Sequence, residues 1–303
     1  MGPLFMDGSI KKVFMPPCHH IFWPNAELIR TWLRNAGHIV VAAVPTVHSE
    51  VDVQIVFLPQ NVHVLNPQMT PTVLVSTEQP ASPRWCEFDK TFVTSIHTFW
   101  CMDIADVNFL RTTYDIPYHK LCIVPAMAGT YAKVRPARHV PTTIDVLHFG
   151  ELNARRAKIL SDIEDAMPGK HVVGTQNSWA DVLTELIRTS RIVVVPHFWE
   201  EPNVLPVHRI MSVMQHPGVH VVVEESESSI YSRLLLQQFG DRIVFVKYED
   251  IVTTVENMLR AHTNEVDDAI PAEPACIEKL YAWNGQTSWL DILSPDKFDV
   301  TSL

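Results

Sequence analysis

The sequence predicts an α/β protein made of two Rossmann-like domains that face each other across a cleft, with C-terminal helices packing back. Three observations carry that expectation. Short runs of Val, Ile and Leu, such as 53–58 and 191–196, recur without polar alternation, which is the pattern of strands buried on both faces of a parallel sheet. Stretches with apolar residues at helical spacing lie between them, so the order is strand then helix, repeated. The pattern lapses once, over 125–141, where Pro125, Gly129, Pro136 and Pro141 stand among three basic residues and read as a connection between domains. This places one domain at 1–135, a second at 142–265 and a helical tail at 266–303.

Taken in order, 12–15 reads as the first strand and 16–20 as the loop leaving its carboxyl end. A helix follows, with Asn25 as its N-cap, an apolar stripe of Ala26, Leu28, Ile29, Trp32 and Leu33, and Gly37 as its stop. Residues 38–44, 53–58, 73–77 and 91–95 continue the strands. Asp103 caps a helix running to Tyr114, and 121–124 is another short strand. The second half alternates more regularly, with strands at 144–149, 171–173, 191–196, 219–224 and 243–246. Its helices are expected up to Ala166 and over 179–189, 204–215, 229–239 and 250–261. The tail over 273–293 carries Leu280, Tyr281, Trp283, Trp289, Leu290 and Leu293 on an apolar side and reads as helical.

Composition narrows the function. With 303 residues, 47% of them hydrophobic, the chain can bury a sizeable core. Its formal net charge of −10 argues against general nucleic-acid binding, which needs clustered Lys and Arg. The five cysteines, Cys18, Cys86, Cys101, Cys122 and Cys276, form no C-x-x-C pair and read as reduced thiols, so a cytoplasmic location is expected. No apolar run reaches the length of a membrane span.

The chemistry gathers at strand ends, where ligands of open α/β sheets bind. From Ile144 to Arg156 the sequence gives a strand, a break at Gly150 and a helix start beside Arg155 and Arg156, a setting that favours an anion such as a diphosphate. After the strand ending at Pro196 come His197, Glu200, Glu201 and Asn203, then His208 and Arg209 in the first turns of the next helix. These residues suit sugar hydroxyls and phosphate. In the first domain Glu78, Gln79 and His19 with His20 lie in loops at strand ends. Trp23, Trp85, Trp100 and Trp199 are stacking candidates that more often belong to a core. No G-x-G-x-x-G follows the first strand and no G-x-x-x-x-G-K-[ST] occurs, which argues against a dinucleotide enzyme or an ATPase. No Asp-x-Asp pair is present to bridge a divalent metal to a nucleotide diphosphate.

Four stretches resemble GT-B glycosyltransferases, in particular the small bacterial and viral enzymes of the glycosyl-transferase-group-1 and spore-maturation type. Residues 73–79 (VLVSTEQ) are similar to that family's strand ending in Glu-Gln. Residues 103–110 (DIADVNFL) are similar to its Asp-x-Ser-x-x-Asn helix ahead of a Val-Pro strand end, here Val124 and Pro125. Residues 145–160 (DVLHFGELNARRAKIL) resemble the opening of its second domain, and 197–210 with 218–224 its donor-site loop, helix and following strand.

The resemblance implies transfer of a sugar from a nucleoside-diphosphate sugar to a hydroxyl of a glycan or other acceptor, with no cofactor beyond the donor, and the missing Asp-x-Asp pair makes the expected transfer metal-independent. The resemblance places Gly150, Asn153 and Arg155 or Arg156 near the diphosphate, and His197, Glu200, Asn203 and Arg209 near the sugar or ribose; Glu151 and His208, in the same two stretches, are further candidates for donor binding. Glu78 or His19, with Asp106 third, are the candidate acceptor bases. Where the family carries acidic residues in its donor helix, this chain has Leu205, Pro206, Val207, Ser212 and Val213. A non-catalytic nucleotide- or sugar-binding protein and a sugar-nucleotide epimerase are the alternatives on the same scaffold.

Overall fold

The computed structural model describes residues 9–17, 23–42, 50–58, 65–77, 82, 85, 88–101, 104–123, 141–176, 180–200, 204–214, 216, 218–226, 232, 235–236 and 239–262. The chain divides into two units, each built on its own parallel sheet.

The first sheet holds β1 (Lys12–Phe14), β2 (Ile39–Val41), β3 (Val53–Leu58), β4 (Thr72–Ser76), β5 (Thr98–Cys101) and β6 (Leu121–Ile123), in the order β2-β1-β3-β4-β5-β6. Its helices are α1 (Trp23–Asn35), α2 (Lys90–Ser95) and α3 (Ile104–Tyr114). Helix α1 starts ahead of Asn25, so that residue lies inside the first turn and is not the cap. The helix stops as expected. Gly37 takes φ +89°, its N–H reaches the Arg34 carbonyl, and the His38 N–H reaches that of Leu33, which is a Schellman closure.

The segment 91–95, expected as a strand, is the helix α2. The Asp89 carboxylate accepts the Thr91 N–H and caps it, and that local bond outweighs the β-branched composition of Thr91, Val93 and Thr94. The strand of this region is β5, whose four residues are all buried. Trp85 and Trp100 belong to the core, and the Tyr114 hydroxyl donates to the Trp85 carbonyl. Buried Gln54 in β3 bonds both the N–H and the carbonyl of Leu65 as well as the Thr72 hydroxyl, so its polar ends are matched.

The second unit runs β7 (Ile144–Phe149), α4 (Ala154–Ala166), β8 (Val172–Thr175), α5 (Ala180–Arg188), β9 (Ser190–Val195), α6 (Val207–Met214), β10 (His220–Glu224), β11 (Ile243–Val246) and α7 (Ile251–His262). Its sheet order is β11-β10-β9-β7-β8. One face packs Val146, Ile192, Val194 and Val222 under Ile159 and Ile163 of α4 and Ile251, Val255 and Leu259 of α7. The intervening residues Leu147, Val193, Val195, Val221 and Val223 are fully buried on the other face, which α5 and α6 cover. Each such side chain adds about 1.5–3 kcal/mol of burial. This two-sided cover explains why the strands read as unbroken apolar runs.

The order of the second sheet reverses between β7 and β9, because the chain moves outward from β7 to β8 and then returns to β7's other side. The pairing reflects this. Strand β7 stays in register with β8 to Phe149 and Thr175, while its ladder to β9 ends at Leu147 and Val193. The strand ends at this reversal carry the candidate site. The connection over 125–140, most of the helix expected over 229–239 and the tail from 266 lie outside the described residues.

Candidate functional site

Gly150 ends β7 with φ +110°, a backbone state that side-chain-bearing residues rarely adopt, and its N–H bonds the Thr175 carbonyl. The turn then delivers Asn153 as the N-cap of α4. Its side-chain oxygen accepts the Arg156 N–H at 3.0 Å, and its amide donates to the Phe198 carbonyl at 2.6 Å, tying this turn to the loop after β9. The positive end of the α4 dipole therefore stands beside three arginines.

Those arginines are held differently. Arg155 is bidentate on Glu224, the last residue of β10, with 2.6 Å from Nη1 to the nearer oxygen; it also donates to the His197 carbonyl and stacks 3.7 Å from the centre of the Tyr248 ring. The Tyr248 hydroxyl returns a bond to the Arg155 carbonyl at 2.9 Å. Glu224 takes a third donor, the His197 N–H, at 2.8 Å. Arg156 is 3% exposed and gives Nε to the Pro196 carbonyl and Nη1 to the Glu151 carbonyl. Neutral carbonyls take these two donors without cancelling its charge.

Arg209, in the first turn of α6, is 9% exposed, and its Nη1 is buried without a hydrogen-bond partner. It lies 5.8 Å from the Phe149 ring centre and directly over Gly150, where an added Cβ would stand 2.8 Å from its Nη2.

The electrostatics follow from this packing. Burial, then the charge of Arg209, pulls Arg156 down to about 8, partly offset by Glu151. Burial pulls Arg209 down to about 10. Beneath them His148 is fully buried, and its Nδ1 lies 3.0 Å from the carbonyl of Val194, one residue past the last β7–β9 register pair. A carbonyl only accepts, so Nδ1 carries the proton and Nε2, which has no partner, is a bare lone pair. Burial and the charges of Arg209 and Arg156 push His148 down to about 3, against the opposing bond to Val194. His197 is also lowered, chiefly by burial; its Nε2 lies 3.0 Å from the Ser226 hydroxyl.

The expected residues thus fall into groups. Gly150, Asn153, Arg155, Arg156, His197 and Arg209 converge on the ends of β7 and β9. Glu151 meets Arg156 through its carbonyl while its side chain is exposed, and Glu200 is exposed in the loop before α6. His208 lies in α6, with its side chain outside the described residues, as are Glu78, His19 and Asn203 altogether. Asp106 sits buried in the first turn of α3 in the first unit, where its charge helps to raise the buried Cys101 thiol. Trp199 packs edge-on to Phe198 at 4.7 Å.

Two residues escaped the sequence reading, Glu224 and His148. Glu224 closes the apolar run 221–223, and the rule that marked Glu78 at the end of a strand applies to it equally.

Among the described residues no group of three or more His, Cys, Asp or Glu side chains could hold a metal ion, and no helix is long and apolar enough to cross a membrane. No protein-family model matches the chain, and no curated protein sequence matches it.

Solved structures do. An alpha-glucosyltransferase in complex with UDP-glucose and DNA containing an abasic site matches with a TM-score of 0.55 at 9% identity, over 84% of this chain and 91% of that one. The lipopolysaccharide outer core galactosyltransferase WaaB in its apo form gives 0.48 at 11% identity, over 88% and 94%. An alpha1,3-fucosyltransferase with GDP gives 0.47 at 8% identity, over 90% and 89%. The first of these likenesses, above 0.5, is one of fold: two Rossmann-like parallel sheets in one chain.

Proposed function

We propose that the chain is a glycosyltransferase that moves a sugar from a nucleoside-diphosphate sugar to a hydroxyl of a glycan or other acceptor. The observation that carries this is Arg209, a buried guanidinium with an unpartnered nitrogen, laid over a glycine at the reversal point of a Rossmann-like sheet. Burying a cation without a counter-charge is costly, and an arriving anion repays that cost.

Arg156, Arg209 and the α4 N-terminus would receive the diphosphate and stabilise it as it leaves, a task that a divalent cation performs in other enzymes. The bond between the sugar carbon and the phosphate oxygen breaks, the acceptor oxygen bonds that carbon, and the acceptor's proton passes to a base. Glu78 and His19 remain the proposed bases. The fold likeness to the alpha-glucosyltransferase supports this reading at the level of architecture.

The test is a thermal-shift panel of nucleoside diphosphates and nucleotide sugars, with and without chelator, on the natural chain and on Arg209→Met. One nucleotide sugar is expected to stabilise the natural chain, by about 2.7 kcal/mol at a hundredfold excess over Kd. Chelator should leave that stabilisation in place and Arg209→Met should abolish it. Absence of any shift overturns the proposal. Binding without transfer or hydrolysis would identify a binding protein, and a new sugar nucleotide formed without acceptor would identify an epimerase.

A further inference from the structure

The three arginines at the ends of β7 and β9 are not equivalent in charge. Arg155 is matched by a buried carboxylate that engages both of its terminal nitrogens, and the remaining reach of that carboxylate goes to the His197 N–H. Glu224 is 7% exposed at its side chain and Arg155 19%, so water screens the pair little. Arg156 and Arg209 have no such partner. The first bonds carbonyls, and the second has a buried nitrogen with no partner at all. The two clusters are contiguous, because Arg155 and Arg156 are successive residues of α4 and bond the successive carbonyls of His197 and Pro196. The charge of Glu224 also acts on Arg156, as does that of the exposed Glu151.

We propose that Glu224 is a specificity-determining residue of this anion site: by cancelling Arg155 it leaves two cationic side chains, Arg156 and Arg209, and so suits the site to a diphosphate rather than a triphosphate. The inference rests on the anion site put forward under Proposed function. It assigns Glu224 no contact with the ligand; its effect is exerted through Arg155. A third free arginine would add attraction that grows with the charge of the ligand, so the more highly charged phosphate would gain most.

The experiment is calorimetric titration of the full chain with inorganic pyrophosphate and with tripolyphosphate, in chelator, at pH 7 and one fixed ionic strength. The natural chain is expected to favour pyrophosphate. Glu224→Gln keeps the shape of the side chain and removes its charge. It should tighten both ligands, with tripolyphosphate gaining on the order of tenfold, the scale of one added unit charge in a partly screened site. Arg155→Met leaves Glu224 negative and uncompensated and should weaken both ligands. The double variant Arg155→Met with Glu224→Gln removes a neutral pair and should return the pyrophosphate preference, a recovery that a merely structural role for Glu224 does not give.

A natural chain that favours tripolyphosphate overturns the inference. So does a folded Glu224→Gln protein whose ratio of the two affinities is unchanged, and in either case the anion site stands. If Glu224→Gln does not fold, unchanged affinities in Arg155→Met overturn it instead. A natural chain that binds neither ligand overturns the anion site and this inference together.

Discussion

Arg155 and Arg209 stand at the same edge of the same sheet and are held in opposite ways. Arg155 meets a carboxylate through two nitrogens, a carbonyl through one of them and an aromatic face, so its charge and its donors are spent inside the protein. Arg209 meets a phenylalanine ring and the bare backbone of Gly150, and one of its nitrogens has no partner. The first arrangement fixes structure, because each group would be left uncompensated without the other. The second holds a charge that only something from outside can match. Two arginines that look alike in sequence therefore divide into a tie and a receptor.

Removing the tie should have the largest effect. Glu224→Ala strands the Arg155 guanidinium and the His197 N–H together, and a broken pair of this kind costs about 3–5 kcal/mol. Chemical denaturation followed by circular dichroism reads the loss directly. A change below about 1 kcal/mol, the range of an exposed pair, would mean that solvent compensates Arg155 and that the contrast with Arg209 is smaller than the geometry implies.

Gly150→Ala acts on the receptor side. The added methyl meets the mobile end of Arg209, which can move aside, so the stability cost comes from forcing φ +110° on alanine, about 1–3 kcal/mol. The displaced guanidinium should also weaken nucleotide-induced stabilisation in the same thermal-shift assay. A variant with unchanged ligand response would show that the position of Arg209 over Gly150 is immaterial to binding.

Arg209→Met sharpens the contrast by its sign. Replacing a buried, unmatched cation with an apolar chain of similar length should raise the stability of the ligand-free protein by about 1 kcal/mol, while the corresponding loss at Arg155 lowers it. Equal destabilisation by Arg209→Met and Arg155→Met in denaturant would remove the distinction between the two arginines.

Much of this was legible in the sequence, for reasons that differ by element. The central strands β7, β9 and β10 of the second sheet are buried on both faces, so their apolar runs mark them, and Gly150 and Asn153 mark the turn after β7 by its positive φ and its N-cap. The segment 91–95 misled because a cap supplied by one neighbour, Asp89, outweighs five residues of strand-like composition. The site residues were found as a set, but the division of labour among them was not. Whether an arginine is spent or waiting depends on Glu224, which lies 69 residues from Arg155 in the chain and meets it only through the pairing of β10 with β9. His148 was hidden for a similar reason. It reads as one polar residue in an apolar strand, and its role as the group that fills the split between β7 and β9 exists only once the strand order is known.

His148 also gives the smallest and most specific prediction. Its ordinary pKa of 6.5 applies to the unfolded chain, and in the fold it lies at about 3. Below pH 6.5 the unfolded state therefore binds a proton that the folded state refuses. The stability contributed by the neutral ring is fully present above pH 6.5 and is lost progressively as the pH falls toward 3. Between pH 7.5 and pH 6 that loss is about 0.8 kcal/mol for this one histidine. His148→Asn keeps an N–H for the Val194 carbonyl and removes the titration, so it should flatten the decline by that amount in denaturant melts at the two pH values. If the decline is unchanged in His148→Asn, the ring is not held neutral by its burial and the two neighbouring arginines.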